Sequence, residues 1–255
     1  MSASIISSES ESILPYKAIS FSGDSNEYVV IGNHKYLRNE LMEAFGGTLN
    51  PGLSPPPVHK FGNASALGLG AFSLTAFTLG LYLVGTLHIE NPDLIVSLLF
   101  FYGGTCLMLS GIWELVIGNT FAATAFCSLG PFFWGYGAIL VPSFGISAAY
   151  ADEPEQLANA IGFYFLGWGI FAFMLLMCTF KSTVMFISTV LTTDIAFFLL
   201  AAGSMTGSPT CNKAAGIFVI ITSLCGWYCM YEGIANKTNS YLVPPPMPLP
   251  VLGSH

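Results

Sequence analysis

The sequence predicts an all-α integral membrane protein with six transmembrane helices, and three observations carry that prediction. Charged side chains make up 8% of the 255 residues and hydrophobic ones 53%, whereas soluble domains are about a quarter charged. Six apolar runs, at roughly 66–87, 94–117, 120–142, 157–180, 183–205 and 213–235, each reach the ~20 residues that a spanning helix needs. Much of the charge gathers ahead of the first run, in Glu9, Glu11, Lys17, Asp24, Glu27, Lys35, Arg38, Glu40, Glu43 and Lys60. A formal charge of −7 leaves no basic surface for phosphates, so no nucleic-acid partner is expected.

Residues 1–60 read as a polar, largely disordered cytosolic tail with a short ordered segment near 28–45. Within it, Tyr28-Val-Val-Ile-Gly-Asn33 is extended in pattern, and Arg38 to Phe45 gives a turn or two of helix stopped by Gly46-Gly47. The first 30 residues hold no apolar run framed by positive charge and a small-residue cleavage site, so the first spanning helix is expected to direct insertion. Pro51 to Pro57 reads as a stiff connector. Residues 61–237 then form the six-helix membrane domain, and residues 238–255 a Pro-rich cytosolic tail, with Pro244-Pro-Pro-Met-Pro-Leu-Pro250 extended and solvated.

Six is even, so both tails share one side of the membrane. Lys35, Arg38, Lys60, Lys181 and Lys237 fall on that side and only Lys213 on the other, which predicts an N-in/C-in topology. Glu90, Asp93, Asp152, Glu153 and Glu155 then lie in outer loops, and the sequons Asn63-Ala-Ser65 and Asn236-Lys-Thr238 face away from glycosylation. The six cysteines, Cys106, Cys127, Cys178, Cys211, Cys225 and Cys229, are expected to be free thiols in apolar surroundings. His34, His59, His88 and His255 complete no ligand spacing with them, so no metal site is expected. No cofactor is expected, and the absence of GxGxxG and GxxxxGK[ST] segments argues against nucleotide-driven pumping. An enzyme is not expected, since the chain offers no Ser–His pair and no facing carboxylate pair.

Ionisable groups inside a bilayer are costly and mark functional candidates. Glu114 lies near the end of the second helix, and Asn63 and Asn119-Thr120 stand at two helix starts in the same leaflet. Two helix N-termini with unpaired N–H groups suit a small carboxylate, and simple capping of those starts is the competing reading. Asp194 lies some eleven residues into the fifth run, about 16 Å deep. It reads either as a proton- or cation-binding group or as a neutral acid bonded to Thr192, Thr193 or a neighbouring helix. Phe72 and Leu129 share that depth, with Pro131 expected to kink the third helix beside Leu129. Apolar residues at one depth can form a dewetting constriction or can simply be packing.

Gly118-Asn-Thr-Phe-Ala-Ala-Thr-Ala-Phe126, with Phe101-Tyr-Gly-Gly104, Gly111-Ile-Trp-Glu114 and Gly167-Trp-Gly169, resembles the acetate uptake transporter family of bacterial succinate–acetate permeases and fungal acetate and ammonia transporters. The resemblance covers about residues 61–235, and the long polar N-terminal tail is fungal-like. It implies a six-helix protomer in a homo-hexamer in the plasma membrane, each subunit with its own route for acetate and related monocarboxylates, coupled to protons. The family's Asn-Pro-Ala-Pro-Leu-Gly-Leu signature reads Asn63-Ala-Ser-Ala-Leu-Gly-Leu69 here: Asn63, Leu67, Gly68 and Leu69 match, and both prolines are replaced. The family's Phe, Tyr and Leu constriction maps onto Phe72, Leu129 and Thr193.

Together these imply an anion site of Asn63, Leu67, Gly68, Glu114, Asn119 and Thr120, a gate of Phe72, Leu129 and Thr193, and a proton or cation group at Asp194. The neutral acid would cross an apolar gate more readily than its anion. Export of ammonia or ammonium is the alternative, drawn from acidic outer loops and Asp194. A non-transporting membrane sensor, signalling through residues 28–45 and the proline tail, is the third.

Overall fold

The computed structural model describes residues 19–23, 26–44, 61–89 and 91–250, and the chain divides into two units between Lys60 and Phe61. The expected Gly46-Gly47 stop, the Pro51–Pro57 connector and Glu90 lie outside the described residues.

In the first unit β1 (Ile19–Ser22), β2 (Tyr28–Ile31) and β3 (His34–Leu37) form an antiparallel sheet in chain order. Ile19 stands opposite Ile31, and Tyr28 opposite Leu37. Gly32-Asn33 turns β2 into β3, with Gly32 at φ +63°, the left-handed conformation a two-residue hairpin turn demands. Helix α1 (Arg38–Ala44) comes next. Lys35 Nζ lies 4.0 Å from the centre of the Tyr28 ring and Arg38 Cζ 5.3 Å from that of Phe21, so the sheet is braced by cation–aromatic contacts. β1 falls in the stretch expected to be disordered. Its Ile-Ser-Phe-Ser alternation has the period of a strand, which the Ser-rich composition around it obscures.

The second unit is six helices long and apolar enough to cross a membrane: α2 (Ala64–Val84), α3 (Ile95–Val116), α4 (Thr120–Leu140), α5 (Pro154–Met177), α6 (Val184–Thr206) and α7 (Pro209–Ile234). Each lies within a few residues of its predicted run. The starts have local causes. Thr183 accepts from the Phe186 N–H at 3.3 Å and Ser208 from the Cys211 N–H at 3.4 Å, while Pro154 and Pro209 open α5 and α7 with a residue that needs no N–H partner.

Around the bundle the α3–α4 hairpin packs on α2, α2 on α7, α7 on α6 and α6 on α5. Between α4 and α5 the ring closes through aromatic side chains. The Phe132 ring lies 5.8 Å from Tyr164, 5.2 Å from Trp168 and, across to α6, 5.1 Å from Phe197. The Tyr164 hydroxyl also donates to the Phe132 carbonyl at 2.9 Å. The α2–α7 crossing depends on glycine: a Cβ on Gly80 would stand 2.8 Å from Ile220 Cγ1 and 3.0 Å from the Gly216 carbonyl, so any larger residue would hold the two backbones apart. Within α3, Leu99–Gly104 winds as a π segment, and the Phe100 carbonyl takes donors from Thr105 Oγ1 at 2.7 Å and Trp134 Nε1 at 3.0 Å. Helix α4 continues through Pro131.

The proline tail is extended and mostly exposed, and hydrogen bonds hold it to the helices. Up to Pro250 it folds back as a strap. The Val184 N–H donates to the Met247 carbonyl at 2.7 Å and the Leu249 N–H to the Ser182 carbonyl at 2.9 Å. Tyr228 donates to the Pro245 carbonyl at 2.9 Å and Tyr231 to the Leu242 carbonyl at 3.0 Å. Proline lacks an N–H but keeps its carbonyl, so tyrosines on α7 hold what composition alone reads as free. Truncation after Asn239 is expected to expose the Val184 N–H and raise its hydrogen exchange by about tenfold or more, measured by exchange mass spectrometry.

Candidate functional site

α2, α4 and α6 start at one end of the bundle, the Asn63 end, where α3, α5 and α7 finish. Just inside that end sits Glu114, 1% exposed although it is a carboxylate. Burial without hydrogen bonds would be prohibitive, and both oxygens are satisfied: Ser65 Oγ donates to Oε1 at 2.7 Å and Asn119 Nδ2 to Oε2 at 2.7 Å. Asn119 is also the N-cap of α4, accepting from the Ala122 N–H at 3.3 Å, and Ser110 Oγ donates to the Ala64 carbonyl at 2.6 Å. One carboxylate thus ties the start of α2, the end of α3 and the start of α4. Asn63 does not cap its own helix; its amide donates to the Gly233 carbonyl at 3.2 Å and ties α2 to the end of α7.

Beneath this knot lie two partly open cavities of about 50 and 40 Å³, each with room for a few heavy atoms, since a water needs roughly 10–15 Å³ on this measure. The first, toward the Asn63 end, is lined by Leu69, Phe121, Leu129, Phe186 and Thr189 among others. The second, further in, is lined by Leu79, Phe132, Phe197, Val219 and Thr222 among others. Phe72 and Thr193 line both. They therefore stand where the cavities meet, with the Phe72 ring 6.1 Å from Phe133 and tilted 48° to it. Among the described residues no charged side chain lines either space, and Lys181, Lys213 and Lys237 are exposed. An ion entering would lose its hydration without a countercharge, whereas a small neutral molecule would meet aromatic and aliphatic surfaces.

A family model described as the GPR1/FUN34/yaaH family matches residues 45–251, which takes in the whole six-helix unit. The chain belongs to the GPR1/FUN34/yaaH family. Similar relatives include ammonia transport outward protein 2 of Saccharomyces cerevisiae, 46% identical over 228 residues, covering 89% of this chain and 81% of the relative. Acetate permease A of Emericella nidulans is 36% identical over 224 residues, covering 84% of this chain and 75% of the permease. Among solved structures, the bacterial acetate channel SatP matches with a TM-score of 0.66 at 30% identity, over 73% of this chain and 99% of the channel. These relatives are transport proteins and channels, not enzymes.

In this GPR1/FUN34/yaaH protein the residues singled out from sequence separate into three places. Glu114 and Asn119 meet in the knot, Phe72, Leu129 and Thr193 meet at the first cavity, and the rest stand apart. Leu67 is 48% exposed on the outer side of α2 and joins nothing, while Thr120 is exposed at the start of α4. Gly68 is a contact point: a Cβ there would lie 2.6 Å from both Phe126 Cε2 and Ser110 Oγ. Asp194 is 6% exposed, lines neither cavity, and has an Oδ1 with no hydrogen-bond partner among the described residues. Of the two readings of Asp194, the one with a bond to Thr192 or Thr193 finds no such bond, because those hydroxyls turn to the carbonyls of Ser188 and Thr189 at 2.7 Å each. Ser65, Ser110, Thr189 and Thr222 were missed from sequence. Serine and threonine are common in membrane helices, and only their three-dimensional partners distinguish them.

Proposed function

We propose that this chain carries acetate and related small monocarboxylates across a membrane, with a proton accompanying each. One observation carries the reading: two small uncharged cavities share Phe72 and Thr193 in their linings, which sets the Phe72 ring between them. Phe72, Leu129 and Thr193 form the gate, Glu114 and Asn119 hold open the helix starts around the first cavity, and Asn63 and Thr120 meet the substrate at the exposed end. The names of the relatives, an acetate permease and an acetate channel, support the same substrate. Ammonia is the second substrate. An uncharged lining suits a neutral amine as well as a neutral acid, and another relative is named for ammonia transport outward.

Lys181 and Lys237 at the Asn63 end, against Asp93, Asp152, Glu153 and Glu155 at the other, support an N-in/C-in orientation. The polar tail before residue 61 and the segment after 237 are then cytosolic. A homo-hexamer in the plasma membrane completes the reading on the strength of the family resemblance.

Uptake of labelled acetate into proteoliposomes tests it. The uncharged fraction of a carboxylic acid grows roughly fiftyfold or more as pH falls from about 7 to about 5, so uptake should be tens of times faster at the lower outside pH, with ammonia efflux seen in the same vesicles. If both substrates stay at the empty-vesicle rate, the transport reading fails and a membrane sensor becomes the reading to pursue.

A further inference from the structure

Helices α4 and α6 run parallel from the Asn63 end and are not packed side by side: α5 stands between them on one side, and α3, α2 and α7 on the other. Two pairs of rings bridge them across the interior. Phe121 and Phe186 meet edge to face, with centres 5.8 Å and planes 68° apart. Phe132 and Phe197 do the same, with centres 5.1 Å and planes 89° apart. In both helices the second phenylalanine follows the first by eleven residues, about three turns, so the pairs stand one below the other, roughly 16 Å apart. Phe121 and Phe186 line the first cavity, Phe132 and Phe197 the second, and Phe72 both.

The two pairs are held differently. Phe132 and Phe197 are 4% and 5% exposed, and Phe132 also packs on Tyr164 and Trp168, which fixes that pair. Phe121 and Phe186 are half-buried, and among the described residues neither ring meets an aromatic ring other than its partner. Their backbones are anchored. The Phe186 N–H donates to Thr183 Oγ1 at 3.3 Å, and the strap takes the neighbouring Val184 N–H at 2.7 Å. Phe121 stands in the first turn of α4, capped by Asn119, which Glu114 holds at 2.7 Å. What is left free is rotation of the two side chains, a fast motion where packing is loose.

We propose that Phe121 and Phe186 form a second gate, at the Asn63 end of the first cavity, which opens by rotation of the rings, while Phe132 and Phe197 form a fixed brace deeper in the bundle. The inference rests on the proposed transport function and adds the residues that admit the solute. Rings in edge-to-face contact leave no passage between them, so a molecule arriving from the Asn63 side waits for one to turn. It then occupies the first cavity with an aromatic barrier on either side, the pair behind it and Phe72 ahead.

The test reads access to the first cavity directly. Ala125 lines that cavity one turn past Phe121 and is 6% exposed, while Ala196 lines the second and is 3% exposed. Ala125→Cys and Ala196→Cys, each in the full chain in detergent micelles, are treated with the small neutral reagent methyl methanethiosulfonate. Peptide mass spectrometry separates labelling at these positions from that of the native thiols. Adding Phe186→Ala is expected to speed labelling at position 125 about tenfold and to leave position 196 within about twofold. Phe186→Leu, which refills most of the space, is expected to stay within about twofold at both. Phe121→Ala carries the same expectation as Phe186→Ala from the other half of the pair, so one variant that fails to fold leaves the other to decide. An unchanged rate at position 125, or equal acceleration at both positions, which marks a loosened bundle, would overturn the gate. Acetate uptake by the parent in proteoliposomes is measured separately: its absence overturns transport, and labelling decides the gate in either case.

Discussion

Replacing Phe72 by alanine is expected to merge the two cavities into one and to admit carboxylic acids bulkier than acetate. The benzoate-to-acetate uptake ratio should rise by roughly tenfold or more, because the barrier to a larger acid is the ring that divides two spaces of about 50 and 40 Å³. Acetate already fits each space, so its own rate should change less. The ring is 8% exposed and packs on Phe133, so its removal also costs about 3–5 kcal/mol of stability, visible as earlier melting in detergent. Phe72→Leu separates the two effects, since a branched aliphatic refills most of the septum at a smaller cost. Paired uptake of labelled acetate and benzoate in proteoliposomes checks the claim, and an unchanged ratio in a folded Phe72→Ala protein would remove the septum from the mechanism.

The second large effect is expected at Glu114, and on stability before transport. Glu114→Ala strands two donors, Ser65 Oγ and Asn119 Nδ2, that now meet the carboxylate at 2.7 Å each. Leaving them unpaired in a buried site costs on the order of 3 kcal/mol, and α4 loses the brace on its N-cap residue. Glu114→Gln is expected to fold nearly as well as the parent, because the amide oxygen accepts from Asn119 while the amide nitrogen donates to a turned Ser65 hydroxyl. Thermal unfolding of the two variants, with acetate uptake then measured on the glutamine form, discriminates the roles. A glutamine variant that melts like the parent yet transports nothing would make the carboxyl group part of transport rather than of the knot.

The helices were legible because a bilayer demands long apolar runs, and such runs survive in one-dimensional composition. That Phe72 and Leu129 stand at one level was legible too, by counting rise per residue, and both line the first cavity. Facing direction was not. These helices are apolar on every side, toward lipid and toward neighbours alike, so no polar stripe tells which residues look inward. Asp194 shows the consequence: its depth could be counted, but its side chain lines neither cavity. The knot was half legible. Glu114 and Asn119 lie five residues apart and could be paired on paper, whereas the Ser65 contact spans 49 positions and exists only because α2 and α3 pack together. For the strap, proline content told of an extended chain and nothing of the α7 tyrosines that hold it.

The π segment in α3 also sets the angular phase of the remainder of that helix. A π turn carries one residue more than the α-helix it interrupts, and each residue of α-helix turns the chain by about 100°. Everything after Leu99–Gly104 is therefore rotated relative to an uninterrupted helix, and Glu114 meets Ser65 and Asn119 only in that rotated frame. A sequence one residue shorter at this point would wind as continuous α-helix, with the same hydropathy and the same spans, and would swing the carboxylate about a quarter of a turn off its partners. Alignments of related chains should accordingly treat a one-residue gap between Leu99 and Thr105 as a change in helical phase, with an effect far larger than that of a loop deletion of equal length.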